Sequence, residues 1–104
     1  MKNTLTLSWR IPDDFTSEET DGEGNLLRLN DKGKFHSLYS PALERVDGNK
    51  YWYRNGEPHR IDGPAVERPN GDKSWYLNGD FIGRSENGFT DEDFENYKRE
   101  HNIL

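Results

Sequence analysis

Histidine and carboxylate side chains are the groups in this sequence whose spacing could support metal binding. His36 and His59 are the candidate ligands in the middle of the chain, and Asp62 follows His59 at the third position. The corresponding residue after His36 is Tyr39, so the His-x-x-Asp spacing is not repeated. Because a zinc site needs three or four converging ligands, this pattern predicts no metal site.

The carboxylates are numerous, but no motif places them for catalysis. The chain of 104 residues has 20 Asp and Glu residues, and it contains no nucleophile elbow, phosphate-binding glycine loop or Ser/His/Asp signature. Glu44 and Glu67 are separated by the same interval as the two histidines, which favours a cross-strand ion pair with Lys50 or Arg45. We therefore expect a protein that is not an enzyme and that has no cofactor.

One segment has the composition of a nucleic-acid-binding surface. Residues 50–54, KYWYR, interleave basic and aromatic side chains, as surfaces that stack on unpaired bases do. In an extended strand, Trp52 points away from Tyr51 and Tyr53, so at least one of these two sets packs inside the protein. Binding of a nucleic acid or a phosphate ligand is kept as the alternative function.

The charge distribution argues against a nucleic-acid backbone as the main partner. The formal net charge is −6. Residues 1–23 and residues 86–104 each carry six acidic and two basic side chains, whereas residues 24–85 carry eight acidic and ten basic ones. Both ends thus have a net charge of −4 and the centre one of +2, and acidic ends repel phosphate groups.

The composition indicates a thin, β-rich and soluble protein. Only 30% of the residues are apolar, and they include three Trp, five Tyr and five Phe, which are residue types that favour strands. The N-terminus lacks the apolar segment of a signal peptide, and no stretch approaches the ~20 apolar residues of a membrane span. We expect one cytoplasmic domain over residues 1–104, with no membrane partner.

An internal repeat organises the middle of the chain. Residues 41–56 and 64–79 align at a constant shift with ten identities, including Trp52 over Trp75. A degenerate first unit spans about residues 24–40, with Leu27 and Leu29 near the Trp positions. Asn-Gly, which favours two-residue hairpin turns, closes both later units. We predict a mainly β fold, a single antiparallel meander of three hairpin repeats over residues 24–86.

Residues 51–79, YWYRNGEPHRIDGPAVERPNGDKSWYLNG, resemble MORN repeats, which share the 23-residue period and the W/Y…NG…G spacing. They are still more similar to the MORN-variant repeats of bacterial and phage proteins, with the pattern WY-x-NG…HR-x-DGPA. The resemblance covers about residues 24–84. Such repeats occur in bacterial antitoxins and small phage proteins, so it implies an inhibitor of a toxin or of a host-defence enzyme.

The N-terminal flank is predicted to contain a strand followed by an acidic loop. Apolar and polar residues alternate over residues 5–11, which is typical of a half-buried strand. The loop is expected over residues 13–24, completing an N-terminal segment of residues 1–23. Its side chains Glu18, Glu19 and Asp21 supply negative charge that would steer a basic partner.

The C-terminal segment, residues 87–104, is predicted to form a capping α-helix. Thr90 suits the N-cap position, and three acidic residues follow it, where they favour the positive pole of the helix. Phe94 and Tyr97 lie on one helix face together with His101 and Leu104. Because the ends of a repeat array need covering, we expect this face to pack on the sheet; docking to a partner is the alternative.

The expected function is stoichiometric binding to another protein, because Tyr, Trp and Arg dominate binding hot spots. Trp52 and Trp75 are expected in the core. The predicted partner-binding residues are the remaining repeat aromatics, one adjacent base and the acidic flank: Tyr51, Tyr53, Arg54, Tyr76, Glu18, Glu19 and Asp21. The acidic flank suits a basic nuclease or a nucleotide-binding enzyme as the partner.

Overall fold

The chain is mainly β, and the computed structural model describes residues 13–103. The strands in this range are β1 Ser17–Thr20, β2 Leu26–Leu29, β3 Leu43–Glu44, β4 Lys50–Tyr51, β5 Tyr53–Arg54, β6 Glu57–Pro58, β7 Val66–Glu67, β8 Lys73–Leu77 and β9 Asp80–Arg84. A 3-10 helix at Ser85–Asn87 is followed by helix α1 at Asp91–Glu100. The predicted mainly β class, with an antiparallel sheet and one C-terminal helix, is confirmed. The strand predicted over residues 5–11 lies outside the described residues.

Seven strands form one antiparallel sheet in the order β1-β2-β3-β4-β7-β8-β9, while β5 and β6 form a separate two-stranded sheet. Neighbours therefore follow the chain order of a meander, except where the β5–β6 hairpin leaves the main sheet. The departure occurs at Trp52. Its N–H donates to the carbonyl of Ala65 at 2.7 Å, whereas its own carbonyl accepts from the N–H of His59 at 3.0 Å.

Strand β1 lies where the sequence predicts an acidic loop over residues 13–24. It pairs with β2 from Ser17 opposite Leu29 to Thr20 opposite Leu26, so the loop prediction is wrong for these four residues. The acidic composition is compatible with a strand because charged side chains are common on strands that pair along one side only.

The Asn-Gly turns at residues 55–56 and 78–79 have the predicted two-residue geometry. Both residues of each turn have positive φ, 53° and 84° in the first and 52° and 85° in the second, which are type I′ values. A buried histidine holds each turn. The Asn N–H donates to Nδ1 of His36 at 3.0 Å in the first turn and of His59 at 2.8 Å in the second.

Helix α1 begins with a capping box. The Thr90 side chain accepts from the N–H of Asp93 at 3.1 Å, and the Asp93 carboxylate accepts from the N–H of Thr90 at 2.9 Å. The helix places Phe94, which is 1% exposed, in a cluster with Trp75 and Leu77. The sheet face that carries this cluster is called the Trp face below.

Candidate partner-binding site

The opposite side of the sheet, called the Tyr face below, carries a row of residues that lie directly opposite one another. This cross-strand row consists of Glu19, Leu27, Leu43, Tyr51, Val66, Ser74 and Arg84. Directly opposed residues point to the same face, so all the side chains of this row lie on the Tyr face. The row has one residue from each of the seven strands of the main sheet. With ~4.8 Å between strands, it is about 29 Å long.

Five rings form an aromatic cluster on the Tyr face. Tyr53 stacks on Phe35 with ring centroids 5.3 Å apart and on Tyr51 at 6.3 Å. Tyr76 meets Phe81 edge to face at 5.4 Å. The three tyrosines are half-buried, and Phe81 is 52% exposed. The predicted tyrosines thus share one surface.

The phenol groups of this cluster are close enough to affect one another. Burial raises the pKa of Tyr53 above its ordinary value, and the neighbouring Tyr51 and Tyr76 act in the same direction. The Tyr53 hydroxyl therefore stays protonated at physiological pH, where it can donate a hydrogen bond as well as accept one. The cluster combines apolar rings with polar tips, a combination typical of binding surfaces.

The predicted acidic patch is split between different surfaces. Glu19 lies on the Tyr face, opposite Leu27 in the cross-strand row. Glu18 points to the other face, where its carboxylate lies 2.8 Å from Nε of Arg28. Hydrogen bonds from the side chain and backbone of Asn25 hold the pKa of Asp21 below its usual value, so Asp21 stabilises a turn. Only Glu19 joins the aromatic cluster's face.

Arg54 does not join the aromatic cluster, because it alternates with Tyr53 along β5. It lines a polar cleft of about 770 Å³, together with His36 and residues that lie just before β1 and just after β2. Three carboxylates line this cleft, against the two bases Lys32 and Arg54, so it is not a site that favours phosphate. No group of three or more possible metal ligands occurs within residues 13–103.

The Trp face is occupied by contacts within the protein. Glu44 and Glu67 accept from Nη1 of Arg28 and Arg60, at 2.8 and 3.0 Å, and not from the bases that the sequence analysis named. The guanidinium of Arg60 also lies 3.9 Å from the ring centroid of Trp52. Arg60 thus covers one tryptophan and helix α1 covers the other, whereas the accessible part of the Tyr face is its half-buried aromatic cluster.

Sequence reasoning missed several residues of the Tyr face. Phe35 and Phe81 extend the aromatic cluster, and Leu27, Leu43 and Arg84 belong to the cross-strand row. The turn at residues 45–49 contained the signal for Leu43, because a short turn fixes which residues of its hairpin lie opposite one another.

Comparisons with known proteins leave the family undecided. A scan against protein-family models matched none, and searches of curated proteins and of solved structures gave no match. The MORN-variant resemblance therefore stays a prediction from the residues. No helix within residues 13–103 has the length and apolar character needed to cross a membrane.

Proposed function

We propose that this protein binds another protein through its Tyr face and acts by stoichiometric association. The observation that carries the proposal is the aromatic cluster on the Tyr face, in which three rings stack and two more meet edge to face. Tyrosine is one of the residues that supply most of the energy at protein interfaces. Rings held in place before binding lose little conformational entropy when a partner covers them.

The proposed partner is a basic protein in the same compartment, which the sequence analysis predicts to be the cytoplasm. Support comes from the net charge of −6 and from Glu19, an exposed acid at one end of the cross-strand row. The sharpest version, inhibition of a bacterial toxin or host-defence enzyme such as a nuclease, rests on this charge and on the MORN-variant resemblance. Opposite charge speeds the encounter of two proteins.

The structure gives the nucleic-acid alternative little support. In the KYWYR segment, Lys50 points to the Trp face and Arg54 lines the acidic cleft. The bases therefore do not flank the tyrosines as they would in a channel that tracks a phosphate backbone. Tyr51 and Tyr53 stack on each other, which leaves no gap for an intercalated base between them.

Site-specific photo-cross-linking in the source cell tests the proposal. A photoreactive phenylalanine replaces Tyr76 on the Tyr face in one variant and Lys50, an exposed residue of the Trp face, in a matched control. We expect one protein other than a second copy of this chain to cross-link from position 76 and not from position 50, and to form a complex of fixed stoichiometry when purified. Equal cross-linking from both positions, or a nucleic acid recovered from position 76, would contradict the proposal.

A further inference from the structure

The cross-strand row is complementary to itself when its direction is reversed. Tyr51 lies at its centre, because β4 is the fourth of the seven strands. Glu19 ends the row on β1, and Arg84 ends it on β9. Between them, the half-buried Leu27 and Leu43 precede Tyr51, and a valine and a serine that are both buried follow it. The row thus has an acid at one end, a base at the other and the half-buried Tyr51 at its centre.

We propose that two copies of this chain pair through their Tyr faces, about a twofold axis that runs along β4. This axis places Tyr51 of each chain against Tyr51 of the second copy. It brings Glu19 of each chain to Arg84 of the other, whereas Val66, which is 7% exposed, is already covered within its own chain. A twofold interface repeats every contact, so each dimer contains two of these Glu–Arg pairs.

The geometry of the sheet is compatible with this arrangement. A twofold axis parallel to the strands keeps the strands of the two sheets aligned, and sheets that pack face to face keep their strand directions within about 30° of each other. The two longest dimensions of the molecule are 49 and 33 Å. About half of a face of that size supplies the roughly 800 Å² per partner that a specific interface buries.

The two end charges are available for pairing between chains. Glu19 and Arg84 are both exposed, and within residues 13–103 neither takes part in an ion pair. Their neighbours on the Trp face behave differently. Glu18 is paired with Arg28, and Gly83 is covered by the ring of Phe89. These two charges, which have no ion-pair partner among residues 13–103, therefore lie on the face where a second copy would complement them.

This inference rests on the proposed function in one respect, since it assigns both the binding of a partner and the pairing of two copies to the Tyr face. In the free protein the Tyr face would be covered by the second copy of the dimer, and a partner would have to compete with that copy. The apparent affinity for the partner is then the intrinsic affinity multiplied by the fraction of chains that are monomeric. Inhibition would depend on the protein's own concentration as well as on the partner's.

Sedimentation equilibrium on the full chain tests the dimer. We expect the unmodified protein to dimerise with a dissociation constant on the order of 10 µM, at the weak end of the range that interfaces of this size span. Glu19→Arg places like charges at both Glu–Arg pairs, and so does Arg84→Glu. Each variant alone should dimerise at least about tenfold more weakly. Mixed one to one, they should form a heterodimer, because both pairs are then complementary again.

Glu100→Arg makes the same charge change on helix α1, which packs on the Trp face, and it should leave dimerisation unchanged. A wild-type chain that stays monomeric at ten times the expected dissociation constant would overturn the inference, as would failure of the mixture to form a heterodimer. Either result leaves the proposed function standing if position 76 still cross-links a protein partner. Loss of that cross-link with an intact dimer would instead refute the proposed function.

Discussion

Replacing Phe94 by alanine tests whether helix α1 caps the sheet. The Phe94 side chain is 1% exposed, and its ring centroid lies 6.3 Å from that of Trp75. Truncating a buried phenylalanine costs about 3–5 kcal/mol, a large part of the ~5–15 kcal/mol that stabilises a typical domain. At about 4–8 °C per kcal/mol for a domain of this size, we expect the Tm to fall by at least about 12 °C.

Thermal unfolding followed by circular dichroism and tryptophan fluorescence measures this change. Asn96→Ala, at an exposed position of the same helix, is the control and should change the stability by less than about 0.5 kcal/mol. If Phe94→Ala shifted the Tm no more than Asn96→Ala, the reasoning would be refuted. The helix would then be a candidate partner-binding element, which is the alternative that the sequence left open.

Three further perturbations test the packing on the Trp face and one turn. Gly83→Ala should lower the Tm in a thermal shift assay, because its new Cβ would lie 2.5 Å from Cγ of Phe89. Arg60→Lys should cost about 1 kcal/mol in urea unfolding and change the Trp52 emission, because lysine loses the planar stacking and the forked donors. Burial lowers the pKa of His59 in the folded state, so stability is full above the unfolded pKa of ~6.5 and is lost as the pH falls through the folded pKa.

Each of these predictions has a matched control. Gly22→Ala should leave the Tm unchanged, because no heavy atom lies within 4 Å of its new Cβ. Arg99→Lys, at an exposed helix position, should not alter the fluorescence. His59→Gln should flatten the dependence of stability on pH below about 6.5, whereas His101→Gln, at an exposed position, should keep it. An equal effect of both members in any pair would contradict the corresponding contact.

The features that the sequence predicted correctly are those that local residues determine. An Asn-Gly pair needs two positive φ values, and the turns at residues 55–56 and 78–79 have them. Thr90 and the acids after it fix the start of helix α1 within one turn. Trp52 and Trp75 are both buried, as expected. The two turns and the start of the helix depend on little beyond their own neighbourhood.

The first repeat unit shows why the remaining features could not be predicted from the sequence. The hydrogen bonds place Arg28, and not a leucine, at the position that corresponds to Trp52. The N–H of Arg28 donates to the carbonyl of Ala42 at 2.8 Å, just as the N–H of Trp52 donates to the carbonyl of Ala65 at 2.7 Å. The shift from Arg28 to Trp52 is one position longer than the shift between the later units. A one-residue change of register exchanges the two faces of a strand. An alignment with one constant shift therefore places Leu27 and Leu29, and not Arg28, near the positions of the two tryptophans.

The division of the predicted site has a similar cause. Tyr53 and Arg54 are adjacent in the sequence but alternate across a strand, as do Glu18 and Glu19. Which member of each pair faces the aromatic cluster depends on pairing with strands that are distant in sequence. The sequence therefore identified the residue types of the site but not the face on which each lies.

Binding kinetics with the cross-linked partner test the central claim, that the Tyr face is the binding site, most directly. In surface plasmon resonance, Tyr53→Ala and Tyr76→Ala should speed dissociation at least about tenfold with little dependence on salt, because a desolvated anchor acts mainly on the off-rate. Glu19→Lys should instead slow association, and this effect should shrink as salt screens charges beyond ~8 Å. Unchanged dissociation of the partner from both tyrosine variants would contradict the account.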